Sequence, residues 1–431
     1  MTVVGYAFDR TPTQLAAVTA FCLGAALSAP FLADLIGWKI AGILLLPALV
    51  SLAVERPTLV WPFAVARTLV VLLVALAAIH ILALMLTPTP WAFQVVKDVT
   101  IAAVLTGVLA LAATQPYEKV WGGFSAVIIP FAVGVAVLGL AKLALSDRGY
   151  QIGFVINLTP GTQYPQGTSL WGDYNLTGLL FLIAAVLLVQ RLIVDHQRYW
   201  SLAGLIVVLS AGVLVGSRRF LLLLPLIPLY WTIGVGMRRA VLGALITAGC
   251  VCALTWLVSS PASHERYRFG GEPYTVLGFS ASPTQLAPPN RAHPSAIAST
   301  VDGMTGSRLD RMRLGVETIL SKTRLVGMGW RYHELFSCRF SACKTLDYPH
   351  STVLSAWLLG GPAIAILVLS VYGLLTYAAW KGGLSASVLL LCMLPYSLVS
   401  GDTLFSLPHV LSIGALVLVS TKVSGGFFNK G

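Results

Sequence analysis

The sequence predicts an all-α polytopic membrane protein with about twelve transmembrane helices and one long polar loop. Three features indicate this fold class. Hydrophobic residues make up 57% of the 431 residues, and only 10% are charged. The mean hydropathy is +0.84, too high for a chain that must cover its surface with polar groups in water. Apolar blocks of helix-spanning size fill nearly all of the chain.

The apolar blocks divide the chain into three parts. Residues 1–258 hold spans one to nine, 259–350 form the loop, and 351–431 hold the last three spans and a tail. We expect the first span to be retained, because it lacks the small-residue cleavage pattern of a signal peptide. The predicted spans are 13–33, 37–54, 60–86, 92–114, 123–145, 171–194, 200–216, 219–236, 240–258, 351–379, 384–400 and 404–421.

The charges predict the orientation. The net charge is +12, but the basic residues lie mostly between apolar blocks. Anionic membrane lipid therefore explains them better than nucleic acid, which would require a soluble basic stripe. If both termini are cytoplasmic, the cytoplasmic short segments carry the larger share of Lys and Arg, as the positive-inside rule expects. The long loop then faces the periplasm or the cell exterior.

One turn departs from this rule. Arg218 and Arg219 follow Gly216 and Ser217 in the turn between the seventh and eighth spans, on the side where positive charge is disfavoured. Two adjacent arginines there suggest that the turn binds a fixed anion. The alternative is that both side chains reach up to lipid phosphates.

The long loop changes character along its length. Residues 259–305 are rich in Pro, Ser, Ala and Thr and predict irregular chain. Ser307 with Asp310 three residues later resembles a capping box, so we expect an amphipathic helix to begin there and run to about residue 321. Arg308 and Arg311 would share one of its faces.

The end of the loop contributes two further features. Cys338 and Cys343 would close a small disulfide loop in an oxidising compartment, with a free pair as the alternative. Pro349 as a helix-start residue would present His350 at the membrane surface for proton transfer. The alternative is a histidine that merely solvates an interface.

Some polar residues near the same side are weaker candidates. The polar and aromatic residues before the sixth span suit sugar contacts, although an aromatic belt at the membrane interface is the simpler explanation. Lys97 and Asp98 form either a self-neutralised pair or a ligand contact. The possible sugar contacts are Gln163, Tyr164, Asp173 and Asn175.

Three segments together resemble the O-antigen ligase and Wzy-type polymerase superfamily. In that family a Ser-Arg-Gly-type turn precedes an apolar helix, as Ser217 and Arg218 precede Phe220 here. A second arginine heads a loop helix that leads to a Gly-x-Gly turn, matched by Arg308 and residues 324–329. A histidine motif follows, matched by 350–361. The departures are Arg219 in place of glycine, Arg324 in place of proline and Ile364 in place of the second glycine.

The resemblance implies a GT-C-like fold and an undecaprenyl-diphosphate-linked glycan as donor, with no cofactor and no metal. Arg218 and Arg308 would bind the diphosphate, with Arg219 and Arg311 as secondary candidates, and His350 would be the catalytic base. The implied activity is an O-antigen ligase in the bacterial inner membrane, with lipid A–core as acceptor. Polymerase and O-oligosaccharyltransferase activities share this donor, and a transporter is a different class of alternative.

Overall fold

Every regular element among the described residues is helical, so the all-α prediction is confirmed for them. The structure is a computed structural model. It describes residues 14–54, 64–146, 167–170, 174–194, 198–258, 296–340, 343, 346–399, 402 and 406–428.

The first part of the chain contains twelve of the described helices. The second, third and fourth are short and continue one another, with a 3-10 turn at Gly42–Leu44. They are α1 Gln14–Ala26, α2 Ala29–Ile36, α3 Trp38–Ala41, α4 Leu45–Val54, α5 Ala64–Leu86, α6 Ala92–Ala112, α7 Tyr117–Ser146, α8 Tyr174–Val194, α9 Arg198–Leu214, α10 Arg218–Leu223, α11 Leu226–Val235 and α12 Met237–Val258.

The second part contains two helices of the loop and four that follow it. The loop helices and the segment 346–351 pack over one end of the bundle, and we call them the cap. The helices are α13 Ala296–Lys322, α14 Arg331–Phe340, α15 Thr352–Gly360, α16 Pro362–Gly382, α17 Leu384–Leu398 and α18 Leu407–Phe428.

Six of the described helices are long and apolar enough to cross a membrane, judged by length and composition. They differ in how far the protein buries them. In α8, 78% of the apolar window is buried, whereas in α12 the share is 11%. A helix that is hydrophobic on all sides and buried forms the centre of a bundle, and an exposed apolar one suits contact with lipid. The six are α5, α6, α7, α8, α12 and α16.

Glycines allow α1 and α7 to cross closely. A Cβ added at Gly24 would lie 2.1 Å from the carbonyl oxygen of Val120, and one at Gly123 would lie 2.2 Å from that of Phe21. Only glycine fits at either position without moving backbone. Small residues at helix crossings are typical of membrane bundles, where close backbone approach replaces the hydrophobic effect.

Several predicted spans are interrupted. The predicted span 351–379 is two helices, α15 and α16, separated by Gly361 at φ +83°. A right-handed helix cannot continue through that conformation. The span 219–236 is divided into α10 and α11, and 13–33 into α1 and α2. Helix α7, in contrast, is longer than its predicted span, because it begins at Tyr117, six residues before the predicted start.

The prediction for the loop helix was wrong at its start. Helix α13 begins at Ala296, so residues 296–305 are not irregular, and Ser307 lies inside the helix rather than at its N-cap. The capping-box pattern has no capping role when helix already precedes it. The predicted end near residue 321 is confirmed, since α13 ends at Lys322.

Candidate functional site

At one end of the bundle, the turns between helices contact the cap. We call this end of the bundle the site end. The backbone N–H of Trp330 donates to Thr87 Oγ1 at 2.8 Å, in the turn after α5. The Tyr332 hydroxyl donates to Asp402 Oδ1 at 2.9 Å, in the turn after α17. At the opposite end, the Trp121 indole N–H of α7 contacts α18. The cap therefore fastens turns that are far apart in the sequence.

Asp347 is the centre of the polar contacts in the cap. Arg311 donates to both of its carboxylate oxygens, from Nε to Oδ1 at 2.8 Å and from Nη2 to Oδ2 at 2.7 Å. The two side chains are only 13% and 8% exposed. The guanidinium also lies 4.4 Å from the ring centroid of Phe340. A bidentate pair has one favoured geometry, so α13 fixes the Asp347 carboxylate in place.

His350 lies beside this carboxylate at the edge of the cap. Its Nε2 is 3.9 Å from Asp347 Oδ1, and 22% of its side chain is exposed. Its backbone is left-handed, with φ +54°. The prediction that Pro349 starts a helix was wrong, because a left-handed residue cannot be part of a right-handed helix. Helix α15 begins instead at Thr352, with Ser351 as N-cap.

A second pair lies beneath Asp347 and is fully buried. His333 Nδ1 donates to the main-chain oxygen of Asp347 at 2.8 Å, and its Nε2 is 3.4 Å from Asp402 Oδ2. Burial raises the pKa of Asp402, but the neighbouring imidazole of His333 and the hydrogen bond from Tyr332 oppose it. The opposing contacts prevail and hold the pKa of Asp402 below its usual value.

Aromatic rings join this pair to the membrane helices. Trp330 stacks on His333, with centroids 5.1 Å apart and an interplanar angle of 14°. The Trp330 ring also lies 5.6 Å from the ring of His80 in α5, and the Trp330 indole N–H donates to the His80 carbonyl oxygen at 3.1 Å. All three side chains are fully buried. The column fixes the height of the cap relative to α5.

The second arginine-bearing segment is the turn before α10. Gly216 has φ +78°, and Ser217 caps α10 by accepting a hydrogen bond from the Phe220 backbone N–H. The Ser217 hydroxyl also lies 3.3 Å from Asn175 Oδ1. The Arg219 guanidinium lies 5.2 Å from the ring centroid of Tyr396. The turn thus places Arg219 at the site end, and the side chain of Arg218 lies outside what the structure describes.

The end of α17 connects the two segments. The Thr352 hydroxyl, two residues after His350, donates to the Ser397 carbonyl oxygen at 2.5 Å. Ser397 follows Tyr396, on whose ring Arg219 packs. The segment that follows His350 and the side chain of Arg219 therefore both contact the end of α17.

No protein-family model matches the chain, and a search of curated proteins found none similar to it. Its own residues must therefore carry the functional argument. Within the described ranges, no group of three or more His, Cys, Asp or Glu side chains is arranged to hold a metal ion. What the site end does combine is a partly exposed imidazole, a fixed carboxylate and arginines.

The other predicted residues have varied positions. Arg308 is exposed on α13, one turn before Arg311. Lys97 Nζ is 3.5 Å from Asp98 Oδ1, which agrees with a paired arrangement. Cys338 and Cys343 are joined by a disulfide at the end of α14. The predicted sugar contacts Gln163, Tyr164 and Asp173 lie outside the described residues, and only Asn175 is placed.

Sequence reasoning assigned no role to Asp347, His333 or Asp402. A signal existed for Asp347, since it precedes His350 by three residues in a short turn. Asp402 is an acid between two apolar spans, where a charged group is expected to have a function or a partner. No local pattern pointed to His333, because its ring contacts Asp347 and Asp402, which belong to other segments.

Proposed function

We propose that the protein transfers a glycan from an undecaprenyl-diphosphate carrier to a hydroxyl group at the periplasmic face of a bacterial inner membrane. The acceptor we propose is lipid A–core, which makes the protein an O-antigen ligase. One observation carries the proposal: a partly exposed imidazole lies 3.9 Å from a fixed carboxylate, at the end of the bundle that also receives Arg219. The proposed topology has about twelve spans, a GT-C-like fold and both termini in the cytoplasm.

The proposed reaction is a single displacement. The acceptor oxygen attacks the anomeric carbon, the bond from that carbon to the diphosphate oxygen breaks, and the acceptor proton goes to His350. Asp347 faces Nε2 of His350 and therefore favours the tautomer with the proton on that nitrogen. The basic lone pair is then on Nδ1. The carboxylate then stabilises the imidazolium that forms. Attack from the face opposite the leaving group inverts the anomeric centre.

The leaving diphosphate gains negative charge as the glycosidic bond breaks. Arginines supply fixed positive charge and paired N–H donors for it without a metal. We assign this role to Arg218, Arg219 and Arg308. Arg311 is committed to both oxygens of Asp347, so we assign it to the positioning of that carboxylate instead.

The test uses purified protein in lipid vesicles with an undecaprenyl-diphosphate glycan. Lipid A–core, a second lipid-linked glycan and a serine-containing peptide are offered as separate acceptors. Labelled lipid A–core is the expected product. His350→Ala should reduce the rate by about 100- to 10,000-fold, the contribution typical of a general base, while donor binding persists. The control is His409→Ala, a buried histidine whose ring packs on Phe31.

Other outcomes separate the alternatives. Extension of the second lipid-linked glycan would identify a polymerase, and a labelled peptide an O-oligosaccharyltransferase. If the glycan crosses the membrane without forming a new bond, and His350→Ala leaves this movement intact, the protein is a transporter. Chelation by EDTA should leave transfer unchanged. Transfer that EDTA abolishes and a divalent ion restores would contradict charge neutralisation by arginine alone.

A further inference from the structure

Helix α13 has two opposite faces of different character. One is buried against the protein and includes Thr318 and Ile319. The other carries Leu309, Val316 and Leu320, which are 53%, 44% and 57% exposed. At about 100° per residue, these three side chains lie within about 40° of one another around the helix axis. They form a narrow apolar stripe that points away from the protein.

The turn after α13 extends this stripe. Leu325 and Val326 are 82% and 76% exposed, and the Arg324 Nε donates to the Leu320 carbonyl oxygen at 2.6 Å, which holds the turn against the end of the helix. Contiguous exposed aliphatic side chains are unusual on a surface bathed by water and mark an interaction site. We name this surface the outer apolar face. It consists of Leu309, Val316, Leu320, Leu325 and Val326.

The outer apolar face lies next to the start of a membrane-spanning helix. Backbone N–H groups of Met328 and Gly329 donate to the carbonyl oxygens of Leu358 and Leu359 at 2.7 and 3.0 Å. A Cβ at Gly361, the residue before α16, would lie 2.5 Å from the Leu325 carbonyl oxygen. The turn is therefore packed directly on the end of α16.

The exposed apolar surface of α16 begins a short distance further along. Ile366 and Leu369 are 62% and 49% exposed on this candidate span. Ile366 is five residues beyond Gly361, about 7 Å along a helix axis. The outer apolar face is thus close to the level at which the lipid-facing side chains of α16 start.

The charges around the stripe fit a lipid surface. Between residues 308 and 326 there are five basic and two acidic residues. Arg313, Lys322 and Arg324 are exposed, and Arg313 also pairs with Glu317 at 2.8 Å. An apolar stripe flanked by basic side chains is typical of helices that lie in the headgroup region of a membrane. There the aliphatic chains enter the acyl boundary while the cations reach the phosphates.

We propose that the outer apolar face lies in the headgroup region of the adjacent leaflet and that its occupant is anionic phospholipid. The proposal does not depend on the transferase activity. Helix α13 also packs against Pro349, the residue before His350, because a Cβ added at Gly315 would lie 3.2 Å from the Pro349 side chain. The depth of α13 in the lipid then fixes the height of that imidazole above the bilayer.

The test compares neighbouring positions on α13. Single cysteines are placed at Leu320, Leu325 and Ser321, with Cys22, Cys250, Cys252 and Cys392 replaced and the Cys338–Cys343 disulfide kept. Each is spin-labelled in vesicles of phosphatidylethanolamine and phosphatidylglycerol. Collision rates are then measured with oxygen, which concentrates in lipid, and with a water-soluble nickel complex. Ser321 is exposed, but it is rotated by about 100° from Leu320 and is the control.

The expected result is a higher oxygen-to-nickel ratio at Leu320 and Leu325 than at Ser321. Replacing phosphatidylglycerol with phosphatidylcholine should shift the Leu325 label towards water. Equal ratios at Leu320 and Ser321 would overturn the proposal. Low collision rates with both reagents at Leu320 would also overturn it, because another segment of protein would then cover the face. An unchanged depth in phosphatidylcholine would reject anionic lipid as the occupant.

Discussion

The bundle and the cap are stabilised by different kinds of contact. In the bundle, α8 is buried without interruption from Thr177 to Val189. In the cap, the buried contacts include the pairs Arg311–Asp347 and His333–Asp402. Apolar cores tolerate exchanges that conserve volume, whereas removing one partner of a buried pair leaves the other uncompensated. The bundle should therefore respond to changes in volume, and the cap to changes in charge.

The largest effect is expected where the two regions meet. Trp330 is fully buried between His80 and His333, so Trp330→Ala should reduce the free energy of unfolding by about 3–5 kcal/mol. Thermal unfolding in detergent measures this change. The control is Trp380→Ala on α16, which is 76% exposed. A loss of stability no greater than that of the control would mean that the column does not join the cap to the bundle.

Asp347→Asn should have the next largest effect, on both folding and transfer, because it leaves the buried charge of Arg311 without its partner. The amide keeps a similar shape but loses the charge that stabilises the imidazolium, so kcat should fall about 100-fold with little change in donor KM. Asp310→Asn, on the exposed surface of α13, should change neither quantity. A rate for Asp347→Asn within twofold of the unaltered protein would remove Asp347 from the mechanism.

Asp402→Asn tests the charge of the buried pair through pH. The pKa of Asp402 is held below its usual 3.8, so the ionised carboxylate contributes stability above that pH and loses it as the pH falls through the lowered value. The free energies of unfolding of the two proteins should therefore differ by the full amount, about 1–3 kcal/mol, near neutral pH. The difference should shrink below about pH 4 and disappear as the pH falls through the lowered pKa. The exposed residue Glu334 supplies the control, Glu334→Gln. A difference that persists unchanged into acid would show that packing, not charge, is responsible.

Arg311→Lys should have the smallest of these effects. A lysine keeps the positive charge but cannot bind both oxygens of Asp347, so transfer should slow by about tenfold. Arg313→Lys, two residues away on the same helix, alters only an exposed pair with Glu317 and should leave the rate unchanged. Comparable rates for the two variants would show that the forked geometry at Asp347 has no role.

The two regions also differed in how much the sequence could predict. Hydropathy located the apolar helices of the bundle, because a membrane span depends on composition over about 20 residues. It could not locate the break at Gly361, which is set by close contact with the carbonyl oxygen of Leu325 from a different segment. In the cap, Arg311 and His350 were candidates from the sequence, but Asp347, the carboxylate that both of them face, was not.

The missing partners share a physical cause. Arg311 and Asp347 are 36 residues apart, and Tyr332 and Asp402 are 70 apart. Such contacts arise from packing between segments and leave no periodic signal in a single sequence. The error at Ser307 has the opposite origin, since a local pattern was present but helix already preceded it.

The left-handed backbone of His350 limits which residues this position can accept. A non-glycine residue in that region costs about 1–2 kcal/mol, a cost that asparagine and glycine largely avoid and β-branched residues aggravate. Replacements by asparagine or glycine should thus be folded and inactive, while valine or isoleucine should also distort the turn. The protein thus has a conformationally unfavourable residue at the position to which we assign the base, and stability is lost there in exchange for the imidazole.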